Sequence, residues 1–201
     1  MDKKNILKKF YIDKKKEKQI QIYLKKLKEC SAHTNIVGRS TLDNPWTKHV
    51  LDSLQIIQFI ENKQSSILDM GTGAGLPGFI LAIAGCSNVT MIDSNNKKIK
   101  FIKEVQLITG VKADIILGRI EAITKKKYDI VVSRALANLT NLLSYSQKFV
   151  HKNTVLIFLK GKTVNEEIED AKKKWNFNYT KQISLSDTRG NLLFVRNLLK
   201  K

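Results

Sequence analysis

Ile67-Leu68-Asp69-Met70-Gly71-Thr72-Gly73-Ala74-Gly75-Leu76-Pro77-Gly78 runs from an apolar strand into four glycines and then into the start of a helix. Glycine tolerates positive φ and lets a ligand lie directly against the backbone. In an open α/β sheet such a loop sits beyond the carboxyl end of its strand, where ligands bind. Outward from this stretch, short apolar runs alternate with helical ones. The pattern predicts strands at 66–70, 88–92, 112–117, 128–133, 154–160, 178–185 and 192–196, and helices at 78–84, 96–109, 138–150 and 165–175. The first five strands are apolar on both faces, as buried parallel strands are. The last two are joined through Ser186-Asp187-Thr188-Arg189-Gly190 with no helical pattern between them, so an antiparallel pair is expected. The whole predicts an α/β, Rossmann-like, mostly parallel doubly wound sheet closed by that pair.

Before residue 63 the pattern is helical. Tyr11, Ile12, Ile20, Tyr23, Leu24 and Leu27 recur at helical spacing among eleven lysines in residues 1–30, which read as one or two basic amphipathic helices. Breakers follow at Gly38, Asn44 and Pro45, and a further helix is expected from Pro45 to about Asn62. Residues 1–62 are therefore expected to form a basic helical extension and residues 63–201 the ligand-binding domain.

Gly73-x-Gly75-x-x-Gly78, with Asp93 twenty residues after Gly73, also fits a dinucleotide fingerprint, so an NAD-dependent oxidoreductase competes. Asp69 separates the two ligands. A carboxylate ending the first strand repels a pyrophosphate, whereas S-adenosylmethionine brings an ammonium and a sulfonium that it attracts. Asp93 ends the second strand, where it could accept both hydroxyls of a ribose diol or cap the next helix. Glu121 could meet an adenine edge or stand in solvent. Ile120 could pack on the adenine face or in the core. Arg134, at the end of the fourth strand, could bind a phosphate, a base edge or the cofactor region, or simply pair with a nearby carboxylate.

The chain carries a formal net charge of +18, from 31 lysines, five arginines and 18 acids in 201 residues. Lysine-rich coding bias and polyanion binding both account for such an excess, so its placement is more telling than its size. Cys30 and Cys86 make neither a disulfide framework nor a metal cluster, and no apolar run approaches a membrane span. A cytoplasmic protein without a resident metal is expected. His33, His49 and His151 are scattered, and no paired carboxylates or nucleophile motif stands out.

Asp69–Gly78 resembles the DxGTGxGLPG signature of the ribosomal small-subunit methyltransferase G family, also called the glucose-inhibited division protein B family. His49-Val50-Leu51-Asp52-Ser53-Leu54 resembles its HxxDSL element. Ile92-Asp93-Ser94 with Lys97-Lys98, Ser133-Arg134-Ala135 and Leu159-Lys160-Gly161 match further elements in order. The resemblance implies methyl transfer from S-adenosylmethionine to N7 of a guanine in the 530 loop of 16S rRNA, on naked rRNA or a small-subunit particle. It places cofactor contacts at Gly71, Leu76, Ile120, Glu121 and Arg134. The charge and diol arguments add Asp69 and Asp93, and the glycine loop adds Gly73 and Gly75. Arg134 is also the expected catalytic side chain. A non-catalytic rRNA-binding assembly factor is the other reading.

Overall fold

The computed structural model describes residues 1–201 and is built on a seven-stranded sheet. β1 (Ile67–Met70), β2 (Val89–Asp93), β3 (Asp114–Leu117), β4 (Ile130–Arg134) and β5 (Val155–Lys160) are followed by the long hairpin strands β6 (Trp175–Ile183) and β7 (Asn191–Lys200). The order is β3-β2-β1-β4-β5-β7-β6, parallel through β5 and antiparallel at β7 and β6. β1 is flanked by β2 and β4, so the chain reverses its direction of travel across the sheet at β1. The crevice outside the carboxyl ends of these strands is the switch point where such sheets bind ligands. All four β1 residues, Asp69 included, are buried, as expected of a strand covered on both faces.

Helices cover both faces. α1 (Lys3–Lys9), α2 (Lys14–His33), α3 (Asp52–Leu54), α4 (Gly78–Ile83) and α5 (Asn96–Thr109) contribute to one apolar cluster; α6 (Leu139–Ser146) and α7 (Val164–Lys172) build the other. Asp2 and Asp13 cap α1 and α2 by accepting from the backbone N–H of Asn5 and Lys16. Ile20, Tyr23 and Leu27 are buried on the inner stripe of α2, and Tyr23 packs on Phe79 and Phe101 with ring centroids 5.7 and 6.0 Å away. The Tyr23 hydroxyl donates to the Ala74 carbonyl at 3.0 Å, so the basic helices brace the glycine loop from behind.

Four local expectations change. The helix expected from Pro45 to about Asn62 is an irregular run: a π-helical turn at Trp46–Leu51, then α3, then a 3-10 turn at Gln55–Phe59. π turns recur at functional sites because they re-aim side chains. β3 is not buried on both faces, because it is the edge strand with β2 as its single neighbour; Asp114 and Leu117 are exposed. Trp175 opens β6 rather than ending a helix, because its ring is buried in the second cluster and its backbone pairs with Lys200. β7 is correspondingly longer than the expected 192–196.

Candidate active site

The glycine loop is held from inside. Asp69 is fully buried, and its Oδ2 accepts from the Thr72 hydroxyl at 2.6 Å and from the Gly78 N–H at 2.8 Å. Gly78 is needed at this spot because a Cβ there would lie 2.8 Å from Asp69 Oδ2 and from Met91 Cγ. Burial pushes the Asp69 carboxyl up to about 6, against the pull of those two hydrogen bonds. Its Oδ1 has no hydrogen-bond partner. The cofactor attraction expected of Asp69 therefore comes from a buried charge under the loop, not from a carboxylate on the cleft wall. Gly75 likewise lies packed against Phe79 and lines neither of the two clefts that meet at Gly71.

The other expected cofactor residues fall along two clefts that meet at Gly71. One, of about 200 Å³, is lined by Gly71, Asp93, Ile120 and Glu121, together with Arg119, Leu136 and Tyr145. The second, of about 340 Å³, is lined by Gly71, Gly73, Leu76 and Arg134, with Lys98 and the segment Ile36–Gly38. Gly71 has φ +65°, and a Cβ on it would lie 2.5 Å from Leu136 Cδ1, so only glycine leaves the junction open. Asp93 accepts from the Gly73 N–H and the Asn95 N–H, both at 2.8 Å. The cap of α5 is Asn95, not Asp93. The Asp93 carboxylate keeps two acceptor positions beyond those bonds, enough for a ribose diol. Ile120 is both core and cleft wall, and Glu121 is exposed at the rim.

Arg134 unites motifs that lie far apart in the chain. Its Nη1 donates to Asp52 Oδ2 at 2.9 Å and to the Lys48 carbonyl at 3.0 Å, and its Nη2 lies 3.3 Å from His49 Nδ1. The pairing alternative for Arg134 is thus realised, while the residue still lines the cleft. His49 is buried; burial, with the Arg134 guanidinium beside it, pushes its imidazole down to about 4, so it is neutral at ordinary pH. A neutral ring accepting at Nδ1 carries its proton on Nε2. The Ser53 hydroxyl closes the turn onto the His49 carbonyl. The HxxDSL residues are therefore a clasp on the arginine, and the widened π turn lets His49 and Asp52 meet it together.

A third cleft, of about 290 Å³, shares Arg134 and Ala135 with the second and continues to Lys160, Ser184, Ser186 and Asp187. Ala135 has φ +52°, unusual for a residue with a side chain. Residue patterns miss Leu136 and Tyr145, and they give Ala135, Lys98 and the β6–β7 loop no place at a cleft. Lys97-Lys98 is marked in the sequence only as part of a matched element, and the fold is what brings the Lys98 ammonium to the glycine loop.

The donor set decides between the two cofactors. A pyrophosphate would need free N–H groups at the start of the helix after the glycines. Here the Gly78 N–H is taken by Asp69 and the Gly73 N–H by Asp93. Acceptors and a buried carboxylate suit the diol and the cationic end of S-adenosylmethionine instead. No group of three or more His, Cys, Asp or Glu is placed to hold a metal ion, and no helix is long and apolar enough to cross a membrane.

Comparison with known proteins agrees. The family model for rRNA small subunit methyltransferase G matches residues 16–198. The ribosomal RNA small subunit methyltransferase G of Orientia tsutsugamushi (strain Boryong) is 38% identical over 174 residues, covering 87% of each chain. That of Paramagnetospirillum magneticum (strain ATCC 700264 / AMB-1) is 31% identical over 198 residues, covering 98% of this chain and 97% of its own. Among solved structures, the ribosomal protein L11 methylase from Lactobacillus delbrueckii subsp. bulgaricus shares the fold, with a TM-score of 0.60 at 18% identity over 71% of this chain and 75% of that one. With the glycine loop, the clasped arginine and this match in hand, the chain belongs to the rRNA small subunit methyltransferase G family.

Proposed function

We propose that the protein transfers the methyl group of S-adenosylmethionine to N7 of a guanine in the 530 loop of 16S rRNA. The observation that carries this reading is the pair of clefts joined at Gly71, which presents diol acceptors on one side and the clasped Arg134 on the other. Asp93 holds the ribose, Ile120 and Glu121 the adenine, and Gly71, Gly73 and Leu76 the tail of the cofactor. When bound, S-adenosylmethionine supplies an electrophilic methyl on a sulfonium.

Guanine N7 has a free lone pair and no proton, so the residues need not remove one. Their tasks are alignment and exclusion of water. A neutral, buried His49 suits a site with no general base. Arg134, fixed by Asp52 and the Lys48 carbonyl, holds the boundary where base and cofactor meet. RNA phosphates are held by lysines on the outer face of α1 and α2. Lys3, Lys16 and Lys26 are engaged with acids, which leaves Lys4, Lys8, Lys9, Lys14, Lys15, Lys18, Lys25 and Lys28 outside any ion pair.

The test is methyl transfer from methyl-labelled S-adenosylmethionine to 16S rRNA, offered both deproteinised and as small subunits, followed by digestion to nucleosides. Label in 7-methylguanosine is expected. Label in any other nucleoside, or RNA binding without transfer, overturns the reading.

A further inference from the structure

The third cleft has no task in cofactor binding, yet it opens directly from the cofactor cleft at Arg134 and Ala135. Its outer wall is the loop between β6 and β7, which is fastened down rather than free. Ser184 Oγ and the Leu185 N–H bond to Gln55, and the Ser186 hydroxyl donates to Asp52 Oδ1, so the carboxylate that clasps Arg134 also anchors this loop. Asp187 follows the anchor and lines the cleft with its side chain one-third exposed, against 17% for the fully engaged Asp52. Lys160, the other charged group of the wall, is buried against Glu167 and the Ala137 carbonyl.

We propose that this cleft receives the flipped target base and that Asp187 selects guanine, its carboxylate accepting from N1–H and the exocyclic N2–H. The inference deepens the guanine-N7 reading above and rests on it. Guanine alone among the four bases presents two adjacent donors on its Watson–Crick edge; adenine presents an acceptor at N1. A base gripped by that edge turns its opposite edge, which carries N7, back towards Arg134, where the two clefts join. The present partners of Asp187 suit exchange. Arg189 is a surface side chain with 78% exposure, and Lys48 reaches only 3.7 Å. Hydrogen bonds from Arg189 hold the Asp187 carboxyl down to about 2 before the base enters, and an exposed carboxylate without that partner is still ionised near neutral pH. Arg189, once released, is free to meet the phosphate of the extruded nucleotide.

The test uses the full chain and 16S rRNA in which the target guanosine is either retained or replaced by inosine, which lacks the 2-amino group. Wild type is expected to lose about 10-fold or more in kcat/KM on inosine, the value of one hydrogen bond to a charged group. Asp187→Asn is expected to lose at least as much on guanosine, to lose nothing further on inosine, and to bind S-adenosylmethionine as wild type does. Independent, multiplying losses overturn the assignment, as does equal transfer to guanosine and inosine by wild type. If wild type methylates the guanosine substrate at an atom other than N7, or not at all, the underlying reading falls and this one with it.

Discussion

Asp69→Asn isolates the buried carboxylate beneath the glycine loop. In wild type, burial lifts this group from its ordinary 3.8 to about 6, so the folded protein binds its proton more tightly than the unfolded chain does. Between about pH 3.8 and pH 6 the folded state holds more protons, and stability from this group is full at low pH and lost as pH rises through 6. For those two values the loss between about pH 4.5 and about pH 7.5 is about 2 kcal/mol. The amide of the variant would still accept from Thr72 and Gly78 through its carbonyl. Its nitrogen would replace the unpartnered Oδ1 with an unpartnered donor, at a pH-independent cost of about 1–3 kcal/mol. Urea unfolding of both proteins at the two pH values is the assay. The variant should be less stable at the lower pH, and the gap should shift by about 2 kcal/mol in its favour at the higher one. A gap identical at both pH values would refute a buried, titrating Asp69.

Gly71→Ala should cut S-adenosylmethionine affinity by about 10-fold or more, because a β-carbon at φ +65° meets Leu136 across the junction of the clefts; calorimetry reads it, and unchanged affinity counts against the junction. Asp52→Ala should destabilise by about 1–3 kcal/mol by leaving Arg134 without its carboxylate, and should lower kcat more than it weakens cofactor binding. Tyr23→Phe should cost about 1 kcal/mol in thermal or urea unfolding, since it leaves the Ala74 carbonyl without its hydroxyl donor. Replacing Lys8, Lys9, Lys14 and Lys15 by alanine should weaken rRNA binding and flatten its salt dependence by about 0.7 in log–log slope for each phosphate no longer neutralised. A slope equal to wild type would remove α1 and α2 from the RNA-holding surface.

The parts of the fold written in neighbouring residues are legible in the sequence: the strand–glycine–helix stretch, the parallel alternation and the closing strand pair. So are the cleft residues near strand ends, Asp93 and Arg134 among them, because a strand end is a fixed place in this kind of sheet. What escapes depends on contacts across long separations. Asp52 and Arg134 are 82 residues apart, and Ser186 is 134 residues from the carboxylate it anchors to, so no local pattern joins them. The charge of Asp69 is plain from its position in an otherwise apolar strand, but its depth changes its task from wall to support. Trp175 is misplaced because helical spacing does not report where a helix gives way to a strand, and β3 is expected too buried because apolar content does not report which strand lies at an edge. Arginine is the more informative base: among abundant lysines, Arg119, Arg134 and Arg189 all stand at the clefts or on the loop that walls them.

The most direct measurement is a map of 7-methylguanosine in 16S rRNA from cells with and without this gene, read by chemical cleavage specific for that nucleoside. One cleavage in the 530 loop should vanish with the gene, return with the wild-type chain and stay absent with Arg134→Ala. A map that does not change when the gene is lost contradicts the account.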